Sequence, residues 1–244
     1  MNKKFQQLYK ILFKTFGRRG WWPVTPAPGR EPVYRPGFYK KPLENESFEI
    51  CLGAILTQNT SWENVKKCLI ELSGKKLISP EKILRMSLPG LEKLIRSSGY
   101  YRQKAIKIHA FCSWWSGAVE KRDKMNDLDL RNSLLEVKGI GPETADSMLL
   151  YSFARTSFVI DAYTRRIIAR MKGVNEQEYE ELKSEFENAL EKKLEIYNEY
   201  HALLVELGKR FCLKRNPLCG DCPAISICIY GRKNELKRKN YRIA

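Results

Sequence analysis

The stretch Leu134-Leu135-Glu136-Val137-Lys138-Gly139-Ile140-Gly141-Pro142-Glu143-Thr144-Ala145 decides the fold of this 244-residue chain. Two glycines bracket one apolar residue, and Pro142 starts a new helix at once. Gly139 and Gly141 permit backbone conformations that other residues avoid, and they let a ligand approach the main chain. The pattern predicts two helices locked together by Ile140, with outward-pointing amides that bind a phosphate without reading sequence. Taken alone, the same pattern also fits an ordinary tight turn.

Helical patterns extend outward from this hairpin in both directions. Apolar residues recur at helical spacing, glycine and proline fall between the segments, and no alternating pattern predicts a strand. The fold class is therefore all-α, with Ser47, Ser61, Ser79 and Asp161 as expected helix caps. A proline-rich stretch after Trp21, reaching Pro42, predicts an extended arm instead. The predicted helices cover residues 2–17, 48–57, 62–73, a segment from 80, 90–97, 102–119, 127–137, 142–153, 162–172, 176–191 and 194–211.

Four clustered cysteines near the C-terminus, Cys212, Cys219, Cys222 and Cys228, form a Cys-x6-Cys-x2-Cys-x5-Cys pattern. The other three cysteines are scattered along the chain. Thiolates at this density predict a metal centre, either four-cysteine zinc or an iron–sulfur cluster. Two local disulfides are the alternative, but nothing else in the sequence indicates a secreted protein.

Composition points to a polyanionic partner. Lys and Arg number 44 against 28 Asp and Glu, which gives a formal net charge of +16. Such an excess favours nucleic acid first and an anionic membrane surface second. The chain has no apolar run of transmembrane length and no signal-peptide pattern at its start. We therefore expect a cytoplasmic, nucleoid-associated monomer with reduced cysteines.

An apolar run that ends in one carboxylate is the next candidate site. In Phe158-Val159-Ile160-Asp161-Ala162-Tyr163, the aspartate stands at a predicted helix start. A capping residue is the simpler interpretation of Asp161. A capping aspartate at the mouth of a cleft can also face a ligand.

The hairpin, Asp161 and the cysteine pattern together resemble the endonuclease III-like DNA glycosylases of the helix–hairpin–helix superfamily. Leu56–Thr60 and Gly99–Ala105 resemble two further shared segments. The resemblance implies two helical domains: a six-helix barrel over residues 48–156, and a second domain from residues 1–47 and 157–244. It also implies DNA bound across the cleft between them, a [4Fe–4S] cluster on the four cysteines, and a loop that wedges into the DNA. The implied DNA-binding residues are Gln58, Asn59, Lys138, Gly139, Gly141 and Thr144.

The same resemblance bears on the reaction. Bifunctional members carry a lysine nucleophile on the helix after the hairpin, and Glu143 occupies the matching position here. A carboxylate cannot form the Schiff base that the lyase step needs. We therefore expect hydrolytic base release only, with Asp161 stabilising the positive charge that develops on the sugar. Glu143 can assist with water or be a surface residue, and neither histidine matches a site.

The sequence also predicts which aromatic residues line the pocket for the flipped base. Trp21 and Trp22 can stack on a flipped base, and an indole face favours a cationic ring such as an N-alkylated purine. With Phe48, the pair resembles the base pocket of the 3-methyladenine glycosylase branch, although core aromatics would fit the same residues. The proline-rich insert 24–46 separates Trp22 from Phe48.

We therefore predict a monofunctional DNA glycosylase for alkylated purines such as 3-methyladenine in duplex DNA. A glycosylase for uracil, mismatched thymine or an oxidised base is one alternative. A non-catalytic DNA-damage binding protein is another, and a bifunctional lyase using Lys138 or another amine is a third.

Overall fold

The structure is a computed structural model that describes residues 2–118 and 121–241. It confirms the all-α class, because these ranges contain twelve α-helices and no strand beyond one isolated bridge, Val24 to Val33. None of the described helices combines the length and hydrophobicity needed to cross a bilayer. The helices are α1 Asn2–Phe16, α2 Glu44–Leu56, α3 Trp62–Gly74, α4 Pro80–Leu84, α5 Leu88–Leu94, α6 Tyr101–Ala118, α7 Asp127–Leu135, α8 Pro142–Ser147, α9 Ala162–Lys172, α10 Tyr179–Ala189, α11 Leu194–Arg210 and α12 Ile229–Tyr241.

The chain forms two compact units. The terminal unit consists of the described residues of Met1–Arg19 and Phe158–Ala244, and the central unit is Gly20–Ser157. Residues 20–47, which the sequence predicts as part of the second domain, group with the central unit, and Phe158 begins the second segment of the terminal unit. The expected domain bounds stay predictions. In its described residues the central unit holds seven α-helices, α2 to α8.

Contacts with α2 and α3 explain why the arm, residues 20–43, joins the central unit. The Thr25 amide and hydroxyl donate to Glu49 Oε1 at 2.8 and 2.7 Å. The Gly29 amide donates to Ser73 Oγ at 3.1 Å. The Arg35 guanidinium forks onto the Glu46 carboxylate at 2.8 and 3.3 Å. These bonds attach the arm along its length.

The start of α2 differs from the sequence prediction. The helix begins at Glu44 rather than after Ser47, because Glu46 Oε2 accepts the Leu43 amide at 3.1 Å and so satisfies the helix start. Ser47 is buried, and it exchanges hydrogen bonds with Ser152 instead, at 3.1 and 2.9 Å. Ser152 ends a short π-helical segment, Met148–Ser152, that continues α8. The serine pair therefore joins α2 to the end of the hairpin's second helix.

A buried lysine fixes the other end of α2. Lys104, on α6, is 2% exposed and donates to the carbonyl oxygens of Leu56 and Ser98 at 2.8 and 2.7 Å. Burial lowers the pKa of its ammonium group to about 8. Lys104 thus satisfies a carbonyl left open where the helix ends and the loop 57–60 begins.

The terminal unit is built around α1, α10 and α11. Phe5 on α1 packs on Phe186 of α10 with ring centroids 4.5 Å apart, and Phe186 stacks on Phe158 at 4.2 Å. Tyr200 on α11 donates from its hydroxyl to the Phe5 carbonyl at 2.8 Å. This aromatic core includes Phe158, which lies in the segment that leads into Asp161 and α9.

Candidate functional site

The hairpin between α7 and α8 has the predicted shape, but its backbone conformation requires glycine at only one of the two glycine positions. Gly139 has φ +89°, and a Cβ there would lie 2.4 Å from Lys107 Cγ. Gly141 has φ −99° and ψ 178°, an extended conformation open to any residue, with space where a Cβ would stand. Ile140 is 5% exposed and packs inward as expected. Lys138 is exposed on the turn.

Gln58 lies against this hairpin. Its Nε2 donates to the Gly139 carbonyl at 3.1 Å and to Thr144 Oγ1 at 3.0 Å. Its Oε1 accepts from Lys107 Nζ at 2.6 Å. The structure thus unites three predicted DNA-binding residues, but it commits the Gln58 amide to the protein. Asn59, the next residue, is exposed and has φ +53°.

A buried ion pair braces the two hairpin helices. Asp146 on α8 is fully buried, and its carboxylate accepts from Arg131 Nε and Nη2 on α7 at 2.8 and 3.1 Å. The Ser157 hydroxyl donates to the same carboxylate at 2.7 Å. A paired, hydrogen-bonded carboxylate is the form in which buried charge is tolerated.

In the terminal unit, Asp161 is the N-cap of α9, as the sequence predicts. Its Oδ1 accepts the Thr164 amide at 2.7 Å. Its Oδ2 lies 3.7 Å from His201 Nε2, and 12% of the aspartate side chain is exposed. Burial raises the pKa of this carboxyl, but His201 and Thr164 outweigh it, so the pKa lies below its ordinary value. Asp161 is therefore a carboxylate at neutral pH.

Sequence reasoning missed His201. The residue is on α11, 4% exposed, and only the tertiary fold brings it beside Asp161. No local pattern around either residue signals the pairing. Glu143 is exposed at the second position of α8, where the helix dipole favours a carboxylate.

The predicted base-pocket residues lie in two different places within the central unit. Trp21 and Trp22 meet edge to face at 5.8 Å, and Trp22 also contacts Tyr151 at 5.5 Å and Trp62 at 5.8 Å. Trp22 is 9% exposed and packs on Gly53, where a Cβ would come within 3.1 Å of its Nε1.

Phe48 departs from the expected pocket. It is 2% exposed, and its ring packs on Phe111 at 6.2 Å and on Trp115 at 5.3 Å. These rings belong to α6, so Phe48 is a core residue here. Tyr151 and Trp62, which the sequence did not single out, contact Trp22 in addition to Trp21.

The four cysteines converge in the terminal unit. Burial first, and the charge of the other three cysteines as well, raise the pKa of the Cys222 thiol to about 11. In the described ranges no three His, Cys, Asp or Glu side chains surround a point suited to one metal ion. Three N–H donors each lie 3.3 Å from a cysteine sulfur: Arg170 Nη1 on Cys212, Asn234 Nδ2 on Cys219, and the Gly231 amide on Cys228. N–H donors of this kind stabilise sulfur that carries negative charge, so the site fits thiolate ligands.

A model of the HhH-GPD superfamily of base excision DNA repair proteins matches residues 52–194. The chain belongs to this superfamily. A relative in Methanocaldococcus jannaschii, named as a candidate DNA repair glycosylase, is 40% identical over 91% of this chain and 94% of its own length. Endonuclease III of Thermotoga maritima is 29% identical over 87% of this chain and 97% of its own length.

Solved structures share the fold. A non-covalent complex of endonuclease III with DNA has a TM-score of 0.76 and 21% identity, covering 96% of this chain and 98% of the other. The 3-methyladenine DNA glycosylase of H. pylori, bound to 1,N6-ethenoadenine, has a TM-score of 0.62 and 26% identity, covering 85% and 97%. The chain is thus a DNA glycosylase of base excision repair with the endonuclease III fold.

The superfamily match includes the hairpin, Glu143 and Asp161 of this HhH-GPD protein. The tryptophan pair and the four cysteines lie outside the matched range. Their individual roles, and those of Asp161 and Glu143 in the reaction, remain predictions.

Proposed function

We propose that the protein is a monofunctional DNA glycosylase that acts as a monomer on duplex DNA and releases alkylated purines such as 3-methyladenine. One observation carries the proposal. Asp161 is an ionised carboxylate, 12% exposed, that accepts a backbone amide and lies 3.7 Å from a histidine, at the position where the superfamily's catalytic aspartate is expected. The remaining parts of the proposal are the identity of the released base and the absence of a lyase step after its release.

The chemistry follows from the bond that breaks. Cleavage of an N-glycosidic bond leaves positive charge on the sugar, and a nearby fixed carboxylate stabilises that charge. The Thr164 amide fixes one oxygen of Asp161, and His201 lies beside the other. The same carboxylate can orient the attacking water or accept its proton. The target nucleotide must first leave the base stack.

Glu143 supports hydrolysis without strand cleavage. A lyase step needs an amine that forms a Schiff base with the sugar, and a carboxylate cannot do so. Borohydride treatment during the reaction tests this directly. We expect no trapped protein–DNA adduct under conditions that trap a bifunctional endonuclease III. A trapped adduct would show that Lys138 or another amine is a nucleophile.

The tryptophan pair supports a cationic base. Trp21, Trp22, Trp62 and Tyr151 gather electron-rich rings in the central unit, and such rings attract a cationic purine by about 1–2 kcal/mol when desolvated. The likeness to the H. pylori 3-methyladenine glycosylase, at 26% identity, points the same way.

We also propose a [4Fe–4S] cluster on Cys212, Cys219, Cys222 and Cys228. The cysteine pattern and the N–H donors at 3.3 Å from the sulfurs of Cys212, Cys219 and Cys228 support thiolate ligands for such a cluster. The bound cluster would cross-link the loop after α11. Four iron and four sulfide per chain, with a visible-violet absorbance shoulder, are expected, and stoichiometric zinc would contradict this.

A panel of duplexes tests the substrate. Each carries one defined lesion: 3-methyladenine, uracil, thymine opposite guanine, or an oxidised guanine. Release of the alkylated purine by the wild type, but not by Asp161→Asn, supports the proposal. Release of a different base alone would correct the substrate. Release of none, with binding retained, would indicate a damage-binding protein.

A further inference from the structure

The last helix, α12, begins directly at one of the clustered cysteines. Cys228 precedes its first residue and has an extended backbone, with φ −96° and ψ 117°. The Cys228 carbonyl accepts the Arg232 amide at 3.2 Å, and the Cys228 sulfur accepts the Gly231 amide at 3.3 Å. Cys228 is therefore the N-cap of α12, and the helix dipole favours a negatively charged sulfur at that position.

Asn234 returns to the cysteines from the second turn of the same helix. Its Nδ2 lies 3.3 Å from the sulfur of Cys219. Cys219 is 7% exposed, whereas the other three clustered cysteines are half-buried. The Glu235 carboxylate lies against the next residue, since a Cβ on Gly220 would stand 3.3 Å from each of its oxygens. This turn of α12 therefore packs on the segment that begins at Cys219.

Few apolar contacts hold α12 in place. Most of its described side chains are exposed, namely those of Tyr230, Arg232, Lys233 and Leu236. Ile229 packs on the end of α9, where a Cβ on Gly173 would lie 2.9 Å from Ile229 Cγ2. A helix of 13 residues is marginal in water unless tertiary packing supports it. The two bonds to cysteine sulfur are thus main anchors of this helix.

The charge on the sulfurs decides the strength of these anchors. A neutral thiol is a weak acceptor, whereas an ionised sulfur accepts a charge-assisted hydrogen bond. Cysteines that bind a metal centre are deprotonated. The bonds from Gly231 and Asn234 are therefore strong when Cys228 and Cys219 are cluster ligands. In return, donors outside the ligand set fix the orientation of the ligands.

We propose that α12 and the iron–sulfur cluster stabilise each other, and that Asn234 is the positioning residue that holds Cys219 as a ligand. The inference rests on the proposed [4Fe–4S] cluster. Asn234 lies six residues beyond Cys228, so the cysteine pattern by itself does not reveal it.

Two substitutions in the full-length, cluster-loaded protein test this role. Asn234→Leu keeps the approximate size of the side chain and removes the donor. Asn234→Asp places a negative oxygen beside the sulfur. Both variants should lose the cluster to a ferrous-iron chelator about tenfold faster than the wild type, with the aspartate variant the faster of the two. The decay of the visible absorbance under anaerobic conditions measures the rate.

A spectroscopic signature separates the hydrogen bond from a general loosening of the helix. The N–H donor withdraws electron density from the Cys219 sulfur, so its removal should strengthen the bond from that sulfur to iron. The iron–cysteine stretching band in the resonance Raman spectrum should therefore move to higher frequency in Asn234→Leu. Backbone amides of α12 should also exchange hydrogen faster in both variants.

Leu236→Ala is the matched control. It changes a neutral side chain on the same helix that is 65% exposed, and it should leave the stretching band and the rate of cluster loss unchanged. An unshifted band in Asn234→Leu, or a rate of cluster loss equal to that of Leu236→Ala, would overturn the inference.

Iron and sulfide analysis of the wild type distinguishes the two ways to fail. Stoichiometric zinc would refute the proposed cluster and this inference together. An intact cluster that is indifferent to both Asn234 variants would refute this inference alone. Neither readout requires base release, so the result does not depend on the proposed substrate.

Discussion

At the scale of single residues, Asp161 combines two duties in one side chain. As the N-cap it satisfies a backbone amide of α9, and as a carboxylate beside His201 it is the candidate catalytic group. The sequence predicts the cap, because an aspartate follows an apolar run and precedes a helical pattern. It gives no sign of His201, which is distant in sequence and reaches Asp161 only through the packing of α11.

Asp161→Asn separates the two duties. Asparagine caps helices about as well as aspartate, so the melting temperature should change little. Base release should fall by about 10²–10³-fold or more, because a neutral amide cannot stabilise the cationic sugar. Single-turnover base release and DNA affinity are the measurements. Unchanged release would remove Asp161 from the reaction. Asp161→Ala is the matched control for the cap, and it should also lose about 1 kcal/mol of stability.

The lowered pKa of Asp161 also leads to a prediction for the pH dependence of catalysis. The lowered pKa of Asp161 lies below 3.8, its ordinary value, so the carboxylate is present throughout the mildly acidic and neutral range. Its contribution to stability is complete above pH 3.8 and is lost as the pH falls through the lowered pKa. Protonation of Asp161 should therefore produce no acidic limb in the rate profile from pH 4.5 to 7.5. Single-turnover rates across that range test this, and a fall in the rate of base release toward pH 4.5 with DNA binding unchanged would contradict it.

At the scale of elements, the hairpin depends on the ion pair between α7 and α8. Removal of one partner of a buried pair typically costs about 3–5 kcal/mol, because the other charge stays buried without compensation. We expect Arg131→Met and Asp146→Asn each to lower the unfolding free energy by about that amount. Denaturant unfolding measures it. The double variant should be less destabilised than the sum of the two, and simple additivity would show that the charges do not couple.

The end of α2 supplies a second prediction. Lys104 has a folded-state pKa of about 8 against an ordinary value of 10.5, so between these values the unfolded chain binds more protons and stability rises with pH. The expected gain between pH 7.5 and 9.5 is about 2 kcal/mol. The buried Cys51 and Cys112 thiols, with pKa values raised to about 12, act in the opposite direction.

Comparison with Lys104→Met isolates the lysine from those thiols. Wild type should gain about 2 kcal/mol relative to the variant over this range. Urea unfolding at both pH values measures the difference. Parallel pH dependences would mean that the ammonium group is solvated well enough to keep its ordinary pKa.

The elements also show what a sequence can reveal. Gly139, Asp161 and most helix bounds follow from local rules of conformation and capping, and the structure agrees with them. The attachment of the arm, the core position of Phe48 and the Lys107–Gln58 bridge arise from contacts between segments far apart in sequence. The sequence does not distinguish Gly141 from Gly139. In the structure, only Gly139 has a positive φ and a side chain packed against its α-carbon.

At the scale of the whole molecule, the net charge of +16 governs encounter with DNA. Each phosphate that the protein neutralises releases counterions, so affinity falls steeply as salt is raised. For about six phosphate contacts, binding to undamaged duplex should weaken about 10³-fold between 50 and 200 mM salt. Fluorescence anisotropy across that range measures the slope. A flat salt dependence would contradict electrostatic binding.

The two units also differ in continuity, since Gly20–Ser157 is one unbroken stretch and the other unit comes from both chain ends. On the ribosome, α1 emerges well before its partners α10 and α11, which begin at Tyr179 and Leu194. At ordinary synthesis rates that delay is roughly 10 to 30 s. During it, Phe5, Leu8 and Leu12 have no helix to cover them, although all three end fully buried. The apolar face of α1 thus stays uncovered until α10 and α11 are made, and meanwhile the nascent chain presents it as a segment that chaperones can bind.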